Sequence, residues 1–305
     1  MSSFIRALQL RELHRHEEAV AMLTQHLAQF PEDAEAHAQL AITRMEMSGE
    51  RRRALESIDA AIGLEADNAG YFGIKSLILS QLDRHRDALA AAETALATQP
   101  DLELGWIAKA DALSGTGRWA EARKAAETAL ELDPDNESAQ HQLSMILRMQ
   151  GDLDGADRGT AQRLERDPED PMAQTNAGWS ALQRRDIGKA EEHFREALRI
   201  DPELEYARIG LREAYKARSL FYRLYLRWVF FLQKFSQGQK IILIIGIYLG
   251  FKFGRVLLAQ VHPVAAAVLV ALYLFLVFGT WMASGIGHFL LLKDRTARLT
   301  LSRNE

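Results

Sequence analysis

Residues 171–204, PMAQTNAGWSALQRRDIGKAEEHFREALRIDPEL, decide the fold, because their pattern recurs along the first two-thirds of the chain. The proline near the end of this stretch belongs to a series whose members are 34 residues apart: Pro100, Pro134, Pro168 and Pro202. Alanines keep the same period: Ala54, Ala88, Ala122, Ala156 and Ala190. Self-similarity at a fixed period of this length indicates a repeat architecture. The period predicts six units over residues 1–204.

Each unit is predicted to hold two helices joined by a short break. In the unit at residues 103–136, an apolar stripe from Trp106 to Leu113 is followed by Gly115-Thr116-Gly117, which favours a turn. The next segment has one face with residues three or four apart, the spacing of an α-helix: Trp119, Ala122, Ala126 and Ala129. Proline disfavours the α conformation of the residue before it, so Asp133-Pro134 ends this second helix.

The pattern resembles the tetratricopeptide repeat family, whose units carry small or aromatic residues and a late proline at fixed places. The unit at 171–204 matches at Ala177, Gly178, Ala181, Ala190, Phe194, Ala197 and Pro202. The preceding unit departs, with Thr160 and Arg163 where small or aromatic residues are usual. The resemblance implies an all-α, right-handed superhelix of about six repeats with a concave face that binds peptides or partner proteins. It implies no catalytic activity.

The resemblance also implies which side chains contact a partner, because the first helix of each unit lines the concave face in this family. The residues expected in such a groove are Leu77, Ile107, Asp111, His141, Met145, Arg148 and Trp179. A large aromatic side chain in a groove can anchor a partner. For Trp179, packing in the core is the alternative. The groove lacks the ordered lysines and asparagines by which some family members clamp a peptide's terminal carboxylate.

Beyond the repeats, residues 205–218 continue the phase of the first helices and are predicted to form a capping helix. Residues 219–240 are rich in aromatic side chains. At helical spacing, one basic stripe begins just before this segment and runs along it: Lys216, Arg223, Arg227 and Lys234. An aromatic helix with one basic stripe is typical of a helix lying in a membrane interface. The alternative is a last helix of the repeat stack that buries its aromatic residues in the core of the stack.

Two apolar segments follow and predict a transmembrane helical hairpin over residues 241–292, before a tail at 293–305. Val264 to Ala283 has 20 residues without a charge, enough to cross a bilayer. Ile241 to Ala259 contains Lys252 and Arg255, and their cost of insertion roughly cancels the gain from its apolar residues. This segment either crosses the bilayer or forms a shallow re-entrant segment.

Small residues recur every four positions within both apolar segments: Gly246, Gly250 and Gly254, then Gly279, Ala283 and Gly287. Small residues at this spacing allow close contact between helices in lipid. They either pack the two predicted spans against each other or form a homo-oligomer through the membrane helices.

The charge distribution changes where the predicted repeats and capping helix give way to the aromatic segment. Residues 1–215 contain 39 acidic and 25 basic residues, a net charge of −14, whereas residues 216–240 contain six basic residues and no acidic one. An acidic body argues against nucleic-acid binding, and the basic segment suits an anionic bilayer surface. Basic residues flank both outer ends of the predicted hairpin. This bias predicts a multi-pass protein of the bacterial cell membrane with its repeats and C terminus in the cytoplasm.

No motif for chemistry is apparent. The chain has no cysteine, its nine histidines do not cluster at ligand spacing, and it has no phosphate-binding loop or nucleophile elbow. We therefore expect no cofactor, no metal and no enzymatic activity. The sequence predicts a membrane-tethered scaffold that binds proteins or peptides. The alternative is a working subunit of a membrane assembly for export or envelope biogenesis, in which the hairpin with Lys252 and Arg255 is essential.

Overall fold

The computed structural model describes residues 3–235 and 237–261, together with 264, 267, 269 and 270. Among these residues it contains fifteen α-helices and no strand, so the prediction of an all-α helical-repeat fold is confirmed. The chain divides between Ile146 and Leu147 into two compact units.

The first unit contains eight helices and most of a ninth: α1 (Ser3–Glu12), α2 (His16–Gln29), α3 (Ala34–Met45), α4 (Arg51–Leu64), α5 (Ala69–Gln81), α6 (His85–Thr98), α7 (Glu103–Gly115), α8 (Trp119–Leu132) and α9 (Glu137–Gln150). The second unit contains the end of α9 and six further helices: α10 (Leu153–Arg166), α11 (Pro171–Gln183), α12 (Ile187–Ile200), α13 (Glu205–Lys216), α14 (Leu220–Gln233) and α15 (Gln237–Val261).

A residue in the left-handed backbone conformation follows the first helix of six pairs. These residues are His14, Gly49, Asp83, Gly117, Gly151 and Arg185, with φ between 55° and 86°. The next N–H then reaches back to the helix, as where the Arg84 N–H donates to the Leu79 carbonyl at 2.9 Å. Such a bond closes a helix C terminus. The last five of these positions are 34 residues apart, so the turn keeps the period of the sequence.

The second helices α6, α8, α10 and α12 end where the prolines predict. Gln99, Asp133, Asp167 and Asp201, each directly before a proline, have an extended backbone with φ between −138° and −125°. The alanines that share the period are buried: Ala54, Ala88, Ala122, Ala156 and Ala190. Because alanine adds only one carbon beyond the backbone, paired helices approach closely at these places.

The repeat that departs from the family pattern holds an ion pair in place of the usual alanine. Arg163 on α10 extends to Asp170, and both side chains are about nine-tenths buried. Asp170 also caps α11, since its Oδ1 accepts from the N–H groups of Met172 and Ala173 at 2.9 and 2.8 Å. The second departure, Thr160, is also buried.

Helices α13 and α14 form a further pair that continues the stack. Tyr222 and Leu226 on α14 are buried in one cluster with Tyr215 of α13 and Phe194 of α12. The Tyr222 hydroxyl donates to Glu213 Oε2 at 2.8 Å. Both helices lie within the ranges expected for the capping helix, 205–218, and for the interfacial helix, 219–240, and they pack together here. One face of α14 is packed in the core of the stack, which is the alternative given above for residues 219–240.

The expected membrane hairpin is not supported. Within the described part of the chain, no helix combines the length and the apolar composition needed to cross a membrane. Most of the second predicted span, 264–283, lies outside the described residues, as do Gly279, Ala283 and Gly287. On α15, a side chain added at Gly246 or Gly250 would meet nothing within 4 Å, whereas one at Gly254 would touch Leu269 at 3.3 Å.

Candidate ligand-binding pockets

Two of the predicted groove residues, Asp111 and Met145, line one pocket in the first unit. The pocket has a volume of about 320 Å³, and its other lining residues include Ser80, His85, Ser114 and Trp119. Asp111 projects from α7 and Met145 from α9, while His85 and Trp119 begin the second helices α6 and α8. The period of the repeat brings these side chains together. Ser80, Asp111 and Met145 come from the first helices of three successive repeats, and His85 and Trp119 follow two successive turns.

The electrostatics of this pocket are set by Asp111. Burial raises the pKa of the Asp111 carboxyl, although the nearby Ser80 hydroxyl and the charge of His85 act in the opposite direction. No cationic side chain forms an ion pair with Asp111 among the residues that the structure describes. Three polar atoms of the pocket are buried without a hydrogen-bond partner within that same set: Ser80 Oγ, His85 Nδ1 and Trp119 Nε1.

The other groove residues predicted in the first unit do not line this pocket. Ile107 is buried and packs against Ala129 and Ala139, so it belongs to the core. Leu77 and His141 are half-buried. Trp119, which shares a helix face with Ala122 and Ala126 and was not among the predicted groove residues, does line the pocket. The signal that could have identified it is its place at the start of a second helix, directly after the left-handed turn.

In the second unit, Trp179 and Arg148 are held by the same tyrosine. The ring of Trp179 stacks on Tyr206 at a centroid distance of 5.3 Å and meets Phe194 edge-on at 5.6 Å. Trp179 is buried in the core of this unit, which leaves little of its ring for a partner. Arg148 is 2% exposed, and its Nη2 donates to the Tyr206 hydroxyl at 3.1 Å.

Arg148 also lines a basic cavity, a space of about 280 Å³ in the second unit. The cavity takes in three of the four residues of the predicted basic stripe, Arg223, Arg227 and Lys234, and adds Arg185. Lys216, the fourth, does not line it. Its Nζ pairs with Glu213 at 2.9 Å and lies 5.6 Å from the centre of the Tyr222 ring.

The helix pairs, their left-handed turns and their buried alanines agree with the comparison with known proteins. Two family models described as tetratricopeptide repeat match the chain, one over residues 103–136 and the other over residues 159–205. The chain carries tetratricopeptide repeats. The second match extends to the start of α13 and includes the unusual Arg163. A comparison with curated protein sequences found no match.

Two solved structures show a similar fold. PilW, described as a widely conserved type IV pilus biogenesis factor, is 18% identical with a TM-score of 0.55, and the match covers 68% of this chain and 96% of PilW. A tetratricopeptide repeat protein from Parabacteroides merdae is 13% identical with a TM-score of 0.55, over 79% of this chain and 95% of that one. At these identities the likeness concerns the fold alone.

Proposed function

We propose that this protein is a scaffold that binds a partner protein or peptide at the pocket around Asp111. The observation that carries the proposal is a half-buried carboxylate without an ion-pair partner among the described residues, next to three buried polar atoms without a hydrogen-bond partner there: Ser80 Oγ, His85 Nδ1 and Trp119 Nε1. Leaving a buried polar group unsatisfied costs about 1–3 kcal/mol. Native proteins keep few such groups, so three in one pocket favour a ligand that satisfies them.

The chemistry of the pocket indicates the part of the partner that enters it. A carboxylate acceptor calls for a donor, so we expect a lysine or arginine side chain of the partner to reach Asp111. The Trp119 N–H can donate to a carbonyl of the partner's backbone. Met145 adds a flexible apolar wall, which adapts to side chains of different shape. The proposed partner is therefore a peptide segment with a cationic residue next to an apolar one.

Replacing Asp111 with asparagine is expected to weaken partner binding by about tenfold or more, because a hydrogen bond to a charged group contributes roughly 1.5–3 kcal/mol. Asparagine keeps the shape of the side chain and removes the charge. The measurement is the affinity of the purified full chain for partners first recovered by crosslinking in cells. Glu131→Gln, an exposed position on α8 outside the pocket, is the matched control and should change nothing.

The pH dependence of partner binding gives a second test with the same variant. Because burial raises the pKa of Asp111, protons should compete with the partner at a higher pH than they would at an exposed aspartate. Binding to the wild type should weaken as the pH falls through that raised pKa, and binding to Asp111→Asn should lack this component. If the two proteins bind their partners equally at every pH, the pocket is not the binding site.

We further propose that the segment after the repeats holds the protein at a membrane, with the repeats and the C terminus in the cytoplasm. The observation in its favour is that α15 exposes large apolar side chains: Ile241, Ile242, Ile245, Phe253 and Val256, with 51–71% of each accessible. Contiguous exposed apolar surface marks a contact with lipid or protein. The charge-free sequence at 264–283 supports the same proposal.

The membrane proposal predicts that the full chain stays with membranes through high salt and alkaline carbonate, because apolar insertion does not depend on surface charge. Release by carbonate would contradict it. Orientation can be read from single cysteines, since the chain has none of its own. Thr94→Cys and Ser302→Cys should both be protected from an impermeant thiol reagent in intact cells. Replacing 237–305 with an unrelated anchor tests the alternative, a working subunit of an export or envelope assembly: retained function would exclude that role.

A further inference from the structure

The basic cavity of the second unit is lined by five cationic side chains and, among the described residues, by no acidic one. Four of the five are exposed at its mouth and lack a carboxylate partner in that part of the chain: Arg185, Arg223, Arg227 and Lys234. Neighbouring arginines behave differently. Arg184, adjacent to Arg185, pairs with Asp154 and Asp157. The cavity thus brings several cations without a carboxylate partner together in one place, where an anion could balance their charge.

The fifth cation, Arg148, lies at the inner end of the cavity. It is 2% exposed, its Nη2 has the neutral Tyr206 hydroxyl as a partner, and its Nε has no partner among the described residues. A buried guanidinium without a carboxylate is costly, because burial removes the water that would solvate its charge. An anion in the cavity would supply the missing counter-charge, and a planar guanidinium suits phosphate oxygens in particular.

The remaining walls indicate that the ligand is more than an ion. They are largely apolar, with contributions from Leu153, Leu182, Leu226, Phe230 and Phe231. The volume of about 280 Å³ approaches the lower end of ordinary small-molecule sites, roughly 300 Å³. Gln183 Oε1 is buried there without a partner in the described part of the chain and could accept from a hydroxyl group. The ligand should therefore join an anion, a hydroxyl group and an apolar portion.

We propose that this cavity binds the phosphate and glycerol of an anionic phospholipid headgroup. The lipid source is favoured over free phosphate because α15 begins three residues after Lys234 and carries exposed apolar side chains, Ile241 and Ile242 among them. The inference deepens the membrane proposal, and it is independent of the pocket around Asp111. Arg223 and Arg227, one helical turn apart on α14, clamp the phosphate, while the acyl chains leave along α15.

The test is titration calorimetry of the full chain, kept in a nonionic detergent, with lipids that are soluble as monomers. Dihexanoyl phosphatidylglycerol should bind at least about tenfold more tightly than dihexanoyl phosphatidylcholine, which has equal chains and no net charge. Arg223→Gln/Arg227→Gln should weaken binding of the anionic lipid by at least about tenfold. Lys189→Gln/Arg199→Gln removes two exposed cations outside the cavity and should leave binding unchanged.

Three results would overturn the proposal: equal binding of the two lipids, binding of inorganic phosphate as tight as that of the anionic lipid, or equal loss in the control variant. Thermal unfolding of each variant shows whether it is folded, and Lys234→Gln replaces the double variant if that protein does not fold. Because the lipids are soluble as monomers, their binding is measured without a bilayer, and the headgroup site is tested separately from the membrane tether. A chain that resists carbonate but does not discriminate between the lipids retains the tether and loses the headgroup site.

Discussion

Phe194→Ala should lower the free energy of unfolding by about 3–5 kcal/mol, the usual range for removal of a fully buried phenylalanine. The ring of Phe194 is 0% exposed and lies in the cluster that joins α11, α12, α13 and α14. Its removal leaves a cavity beside Trp179, whose ring meets it edge-on. Urea unfolding of the full chain, followed by circular dichroism, measures the loss. Hydrogen exchange should accelerate in α11–α14 more than in α3 and α4.

The cavity around Phe194 cannot be filled easily from its neighbours, because two glycines enclose the ring. A Cβ on Gly178 would lie 2.6 Å from Phe194 Cε1, and one on Gly210 would overlap the same ring. Gly210→Ala should therefore cost about 1–3 kcal/mol through overpacking. Gly159→Ala, on the exposed side of α10 with nothing within 4 Å, is the matched control. It should stabilise the protein by up to about 1 kcal/mol. Equal effects at the two glycines would show that Phe194 is not confined.

The repeat register could be predicted because it depends on residues whose conformational effect is local. Proline disfavours the helical conformation of the residue before it wherever it occurs, and a buried alanine fits close helices in any repeat. The left-handed turn was harder to recognise in the sequence. Gly49, Gly117 and Gly151 show its period, but Asp83 and Arg185 occupy the same conformation without being glycine. Aspartate tolerates a positive φ better than most residues do, but an arginine gives no sign of it.

The sequence could not show what α14 packs against. An aromatic helix with a basic stripe has the same composition whether it lies on lipid or in a protein core. The burial of Tyr222 and Leu226 depends on the space that Phe194 and Tyr215 leave, which arises from other helices. The basic cavity could not be predicted from the sequence for the same reason. Its innermost charge, Arg148, precedes Arg223 by 75 residues in the chain and joins it only in the folded unit.

Arg163 is a different case, since the sequence identified it as unusual and the structure explains it. Alanine occupies the equivalent place in other repeats: Ala61, Ala95, Ala129 and Ala197. A long cation at this place is tolerated because Asp170, the capping residue of the next helix, supplies a counter-charge where both are buried. A departure from the repeat pattern is therefore matched by a second residue seven positions later.

Asp170→Ala should lower the free energy of unfolding by about 3–5 kcal/mol, because it breaks a buried ion pair and removes a helix cap together. Asp170→Asn should cost less, since asparagine caps a helix as well as aspartate does. Urea unfolding measures both variants, and the difference between their free energies of unfolding gives the contribution of the helix cap. Asp186 is an exposed cap of α12, and its Oδ1 accepts from the Lys189 N–H at 3.2 Å. Asp186→Ala should therefore lower the free energy of unfolding by only about 1 kcal/mol.

The double variant Arg163→Ala/Asp170→Asn tests whether the ion pair itself stabilises the fold. It restores the alanine found in other repeats and retains a capping side chain. Replacing a buried ion pair with well-packed neutral residues is often neutral or stabilising, whereas removal of one partner alone is costly. The double variant should therefore recover most of the stability that Asp170→Asn loses. If it is less stable than that single variant, the Arg163 side chain contributes packing that an alanine cannot replace, and the analogy with the other repeats fails at this place.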